Sequence, residues 1–221
     1  MKTLSLINTE HGSSEPTLRQ LSRMGRGSLN VQEMAYPGME AVVATIKKVI
    51  ETYRAKQFVR TKAQQLTKNI PKNTRTNHPD MRDFDAIADA IYDYIIDHVI
   101  YTRDTVGVER LQMPDATMVL GSGDCDDMVI ISGALLESIG VPTQIKLLGE
   151  QPNKFTHILL EYKSNGRWKS FDPTLALYPG YEIPAGRIKV SKIVSLNRPG
   201  LAGMPAPSNP VYRHTRSSYI N

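Results

Sequence analysis

The chain has 221 residues, 40% of them apolar and 22% charged, with a formal net charge of +5 and a single cysteine. That length provides one large domain, or one domain with extensions, and enough chain to bury a real core. One cysteine excludes an internal disulfide, and the longest apolar run, Met128 to Leu136, is far too short to span a bilayer. The opening stretch, Met1 to Asn8, turns polar too early for a secretory signal, so a soluble protein made in the cytoplasm is expected. Positive charge is uneven: residues 47 to 75 carry many Lys and Arg against one acid, Glu51, whereas residues 80 to 127 are net acidic. No known nucleic-acid-binding fold accompanies the basic stretch, and its aromatics, Tyr53 and Phe58, fall on an apolar stripe. The stretch therefore predicts a solvated helix face or an acidic protein partner rather than nucleic acid.

Residues 1 to 38 are rich in Ser, Gly, Arg and Thr without a sustained period, and read as an arm that is ordered, if at all, on a partner. From Met39 to Asn69 the apolar stripe Val42, Val43, Ile46, Val49, Ile50 and Tyr53 predicts a long basic amphipathic helix, broken once. Residues 71 to 82 read as a polar loop after Ile70-Pro71. A second helix is predicted from Asp83 to Val99, with Ile87, Ile91, Tyr94, Ile95 and His98 on its buried side. His98 there is expected to be a packed or capping residue. An irregular segment follows to Leu120, interrupted by Gly107 and Pro114.

The next stretch carries chemistry. Gly121-Ser122-Gly123-Asp124-Cys125-Asp126-Asp127 turns sharply into an apolar helix that ends at Gly140 and Pro142, with Asp124 as the predicted N-cap. Met128, Ile131, Leu135, Leu136 and Ile139 share one face of that helix. A thiol in its first turn lies among free backbone N–H groups at the positive end of the helix dipole. That position favours a thiolate and offers donors to an oxyanion. The plainer reading of Cys125 is a buried small hydrophobe. The three flanking aspartates suit a helix N-terminus, yet their charge raises a thiol pKa. A metal site is the other reading of these acids, but their spacing is not that of an EF-hand and capping explains them better.

Beyond Pro142 the period becomes two. Thr143 to Leu148 and Phe155 to Tyr162 are predicted strands, and Ser164-Asn165-Gly166-Arg167 is a strong hairpin turn returning through Trp168 to Asp172. Arg187 to Val194 adds a last strand. From Asn197 to Asn221 the chain is Pro-, Ser- and Gly-rich and reads as an extended tail. The fold class is α+β: helices first, then a mainly antiparallel sheet against the cysteine helix. The predicted units are an arm (1–38), a basic helix and loop (39–82), a core (83–196) and a tail (197–221). If Asn165 and Gly166 are the central turn residues, paired positions place Leu159 opposite Asp172 and His157 opposite Thr174. His157 and Asp172 are then diagonal neighbours on one sheet face, as a base and its orienting carboxylate require. A slip of one residue would separate them.

These motifs together resemble the transglutaminase-like superfamily: Gly-x-Gly-Asp-Cys-Asp-Asp opening an apolar helix that ends Ile-Gly-Val-Pro, then Thr-His-Ile on a strand, then Phe-Asp-Pro-Thr. The resemblance covers residues 84 to 176. It implies a papain-like core with Cys125 as nucleophile, His157 as general base and acid, and Asp172 as the orienting carboxylate. The papain-type oxyanion Gln has no counterpart just before Cys125, which leaves the Cys125 N–H to be joined by another donor, with Tyr101 the candidate. The stretch from Tyr101 through Leu120 looks closest to small members encoded among tailed-bacteriophage virion genes. No cofactor and no metal are implied. The expected function is cysteine acyl transfer on a protein or peptide, by hydrolysis in preference to transamidation. The expected partners are other virion proteins held through the terminal arms, and the expected location is the virion, with no membrane and no nucleic acid. The alternative is a structural virion protein that retains a relic triad.

Overall fold

The computed structural model describes residues 31–35, 38–71, 83–105, 108–152, 154–175 and 178–197. Thirteen α-helices and β-strands follow in chain order among the described residues, with a 3₁₀ turn at Ala185–Arg187 before the last strand. They are β1 (Val31–Ala35), α1 (Met39–Tyr53), α2 (Gln57–Thr67), α3 (Phe84–His98), β2 (Ile100–Tyr101), β3 (Val108–Gln112), α4 (Pro114–Leu120), β4 (Ser122–Gly123), α5 (Cys125–Ser138), β5 (Thr143–Gly149), β6 (His157–Ser164), β7 (Arg167–Phe171) and β8 (Val190–Ser195). The α+β class read from the sequence is the class observed. Among the described residues no helix is long and apolar enough to cross a membrane.

Helix α5 is the hub. The expected one-sided stripe understates it: every residue from Asp126 to Leu136 is buried, because α1, α2, α3 and α4 pack around it and the sheet closes the remaining side. Ile130, Ile131 and Leu135 meet Ile46 and Ile50 of α1, Ile91 and Ile95 of α3, and Leu160 and Phe171 of the sheet in one apolar core. The sheet has the order β7-β6-β5-β8, with every pair antiparallel. Its β6–β7 hairpin pairs Ser164 with Arg167 and Leu160 with Phe171, the register that the turn residues predict. Asn165 and Gly166 both take positive φ (50° and 77°), the pair that a two-residue turn of this twist needs.

The basic helix is two helices, with the one break falling between Tyr53 and Gln57, and several of its cations fasten the fold. Lys47 donates to the Ser195 carbonyl at the end of β8 (2.8 Å). Arg54 pairs with Glu137 at 3.2 Å and donates to the Asn197 carbonyl at 2.6 Å. Arg60 donates to the Ser138 carbonyl, and Lys62 lies 4.2 Å from the Tyr94 ring centre. The cations cluster in sequence because carbonyls at the end of α5 and beyond β8 need donors there.

Three readings change. The segment to Leu120 is not irregular: β3 and α4 occupy it, and α4 begins with Pro114 at its first position, where a missing N–H costs nothing. Val31–Ala35, within the stretch read as an arm, is a strand paired antiparallel with β3. His98 is exposed rather than on the buried side of α3, with Nδ1 2.9 Å from the Tyr94 carbonyl oxygen. Residues 1–30 of the arm and 198–221 of the tail lie outside the described residues.

Candidate active site

Cys125 is the first residue of α5, and the turn before it is held by a reciprocal cap. Asp124 Oδ1 accepts from the backbone N–H of Asp126 (3.0 Å) and of Asp127 (3.4 Å), while Asp127 Oδ2 accepts from the Asp124 N–H (3.3 Å). Asp127 Oδ1 also takes the Gln112 N–H at 2.7 Å, tying β3 to the start of α5. Gly123 is required by packing: a Cβ there would lie 2.7 Å from that of Asp127. Parallel pairing of β2 with β4 sets Tyr101 opposite Gly123, two residues before the cysteine, with its side chain exposed.

On the sheet, His157 opens β6 and Asp172 follows β7. Nε2 of His157 lies 2.6 Å from Oδ2 of Asp172. Asp172 is only 4% exposed and its other oxygen is fully engaged, accepting from the Thr174 N–H (3.1 Å) and Oγ1 (2.7 Å). Tyr92 of α3 donates to the Asp172 carbonyl at 3.3 Å, and burial pushes the Tyr92 hydroxyl pKa up to about 12. The carboxylate is thus held by His157 on one oxygen and Thr174 on the other, and the Asp172 backbone by Tyr92. Thr174 was legible as the third residue of Asp-Pro-Thr, a local turn in which Asp accepts from the residue two on. Tyr92 left no local signal, because α3 meets the end of β7 only in the folded chain.

The two halves meet through Cys125 and β6. The half-buried thiol lies against the backbone N–H of Ile158, the residue after His157, and Sγ is 3.5 Å from Oδ1 of Asp126. Burial, followed by the charges of Asp126 and Asp124, pushes the thiol pKa well above its ordinary value; the Ile158 N–H opposes this more weakly. The expected benefit of the helix N-terminus is therefore outweighed, and the resting side chain is a thiol. The acids carry the same strain. Burial is the largest cause for each: Asp124 is pushed up to about 6, with Asp104 and Glu109 contributing, and Asp127 to about 7. Asp126 is raised as well, by burial, by Asp124 and by Glu109. Oxygens of Asp104, Glu109 and Asp124 lie within 4.8 Å of one another, as do ligand atoms of Asp124, Cys125 and Asp126. Carboxylate oxygens are hard donors of the kind Ca²⁺ takes, although the helix cap already accounts for Asp124.

The arrangement places a thiol at a helix N-terminus, packed on a strand whose first residue is a carboxylate-bound imidazole. Residues 64–173 match the family described as Transglutaminase-like superfamily. Among curated proteins none matches. Among solved structures, one from Parabacteroides distasonis ATCC 8503, described as a candidate protease, is 14% identical with a TM-score of 0.47. The alignment covers 65% of this chain and 27% of that one. A candidate cysteine protease from Cytophaga hutchinsonii is 18% identical with a TM-score of 0.41, over 62% of this chain and 46% of that one. Legionella pneumophila LapG is 16% identical with a TM-score of 0.42, over 73% of this chain and 90% of that one. The chain thus spans about a quarter and under half of the first two proteins. Over residues 64–173, which hold Cys125, His157 and Asp172, the sequence match supports the transglutaminase-like superfamily.

Proposed function

We propose that this protein is a cysteine acyl-transfer enzyme acting on amides of protein or peptide substrates through Cys125, His157 and Asp172. The observation that carries this is the 2.6 Å contact of His157 Nε2 with Asp172, with the Cys125 thiol against the next residue of the same strand. Asp172 holds Nε2 and leaves Nδ1 of the imidazole to serve the thiol. As Sγ attacks the carbonyl carbon, Nδ1 takes the thiol proton, and Asp172 stabilises the imidazolium. Of the first-turn N–H groups, the cap takes those of Asp126 and Asp127, and that of Met128 goes to the Asp124 carbonyl. The Cys125 N–H is left for the oxyanion, with Tyr101 as second donor. The imidazolium then gives its proton to the leaving amine, and water, activated by the same base, cleaves the thioester.

Hydrolysis is distinguished from transamidation by offering a glutamine-containing peptide with a labelled primary amine. Release of free acid without amine incorporation is the expected result; dominant incorporation makes the enzyme a cross-linker. Burial of the thiol is the observation that favours the rival reading, a tailed-phage structural protein with a relic triad. Association with such a particle is proposed from the sequence resemblance of Tyr101 through Leu120. Its test is whether the protein is stoichiometric in purified particles.

A further inference from the structure

Beside His157 the described residues line a partly open cavity of about 200 Å³, which the acyl-transfer reading leaves unused. Its walls come from the end of β5, the start of β6 and the segment that returns to β8. Leu148, Leu175, Tyr181, Ile183 and Ile188 make it more apolar than polar, with Thr156, His157, Glu150 and Arg187 supplying the polar part. Leu148 is the direct cross-strand partner of His157, which sets that wall beside the imidazole, while Leu175 and residues 181–188 supply the facing wall. An exposed ion pair, Arg187 with Glu150 at 3.0 Å, borders it on the solvent side. Cys125 is not among the walls.

We infer that this cavity receives the side chain of the residue on the amine side of the scissile bond, and that this side chain is apolar and about the size of leucine. The inference rests on the acyl-transfer reading for the word "scissile", and on geometry for the rest. In a triad the imidazole hands its proton to the leaving nitrogen, so the residue bearing that nitrogen lies over the imidazole and not over the thiol. A volume of about 200 Å³ is below the ~300–1,000 Å³ of pockets that enclose a whole small ligand, which leaves room for a single side chain. A charged head group would lose its water among these walls, since Glu150 and Arg187 already engage each other.

The test uses full-length Cys125→Ala protein, which can bind the leaving segment but cannot be acylated. Methyl resonances of Ile183 and Ile188 are followed during titration with tripeptide amides beginning with leucine, glycine or lysine. The leucine peptide is expected to shift both methyls and to bind at least about tenfold more tightly than the glycine peptide. Ile183→Trp, which fills the cavity from a half-buried loop position, is expected to reduce the leucine peptide to the glycine level. Ile188→Ala, which enlarges the cavity, is expected to move the preference toward phenylalanine. Equal binding of leucine and glycine peptides, tighter binding of lysine, or a leucine preference that survives Ile183→Trp overturns the inference. Because no step involves the thiol, loss of the leucine preference leaves the acyl-transfer reading standing. Failure of wild-type protein to form an acyl-enzyme sinks that reading without altering the binding result.

Discussion

His157 Nε2 and Asp172 Oδ2 meet at 2.6 Å just beyond the last paired residues of their hairpin, Leu160 and Phe171. The contact is therefore set by the turn at Asn165 and Gly166, eight and nine residues from His157 along the chain. A register shift of one residue would carry His157 to the other face of the sheet.

Asp172→Asn tests what the carboxylate does. The amide oxygen can still accept from Thr174, so the local turn is expected to survive and the fold with it. The imidazolium, however, loses its counter-charge. Acylation of Cys125 is expected to slow by about 10²–10⁴-fold with little change in the thermal midpoint. A slowing of less than about threefold would show that the contact is structural.

The buried acids give stability an unusual pH dependence. Asp124 and Asp127 are raised to about 6 and about 7 from an ordinary 3.8, so the folded chain binds their protons more tightly than the unfolded chain. Their protonation favours folding, starting as pH falls through about 7 and complete below about 4. Urea unfolding is expected to show a gain on the order of 1–3 kcal/mol between pH 7.5 and pH 5. Stability that is flat or lower at pH 5 would mean that these carboxylates are not held as described.

Asp126→Asn removes the charge nearest to Sγ. After burial, Asp126 is the largest cause of the raised thiol pKa, so the midpoint of the alkylation rate against pH is expected to fall by about 1–2 units. An unchanged midpoint would assign the whole effect to burial.

Arg54 tests whether the basic stretch fastens the fold or faces a partner. Its ion pair with Glu137 is largely buried, at 12% and 6% side-chain exposure, and Glu137 also accepts from the Thr143 N–H and hydroxyl. Arg54→Ala is expected to destabilise by about 3 kcal/mol in urea unfolding, with Arg54→Lys recovering part of that. A loss below about 0.5 kcal/mol would return Arg54 to the surface.

What the sequence made legible is local. The turn at Asn165-Gly166 determined the hairpin register and hence the His157–Asp172 pairing, and Asp124 before an apolar run marked the start of α5. What it hid depends on distant chain. β1 and β3 pair across some 77 positions with no alternation of apolar residues to announce either strand. Glu109 approaches Asp126, and Glu109 and Asp104 approach Asp124, only through the fold. Burial of the thiol, which only the fold produces, joins the charges of Asp126 and Asp124 to turn the helix N-terminus from a site that favours a thiolate into one that opposes it. The full burial of α5 was visible in its unbroken apolar run, which an amphipathic reading narrowed to one face.

The most direct test of acyl transfer by Cys125 is intact-mass detection of labelling by a thiol-directed acyl-type probe, with wild type compared with His157→Ala and with Cys125→Ala. A single adduct on wild type, mapped to Cys125, is expected, with labelling slowed by at least about 10²-fold in His157→Ala and absent in Cys125→Ala. Equally slow labelling of wild type and His157→Ala would contradict a working triad, leaving Cys125 a buried thiol at a helix N-terminus.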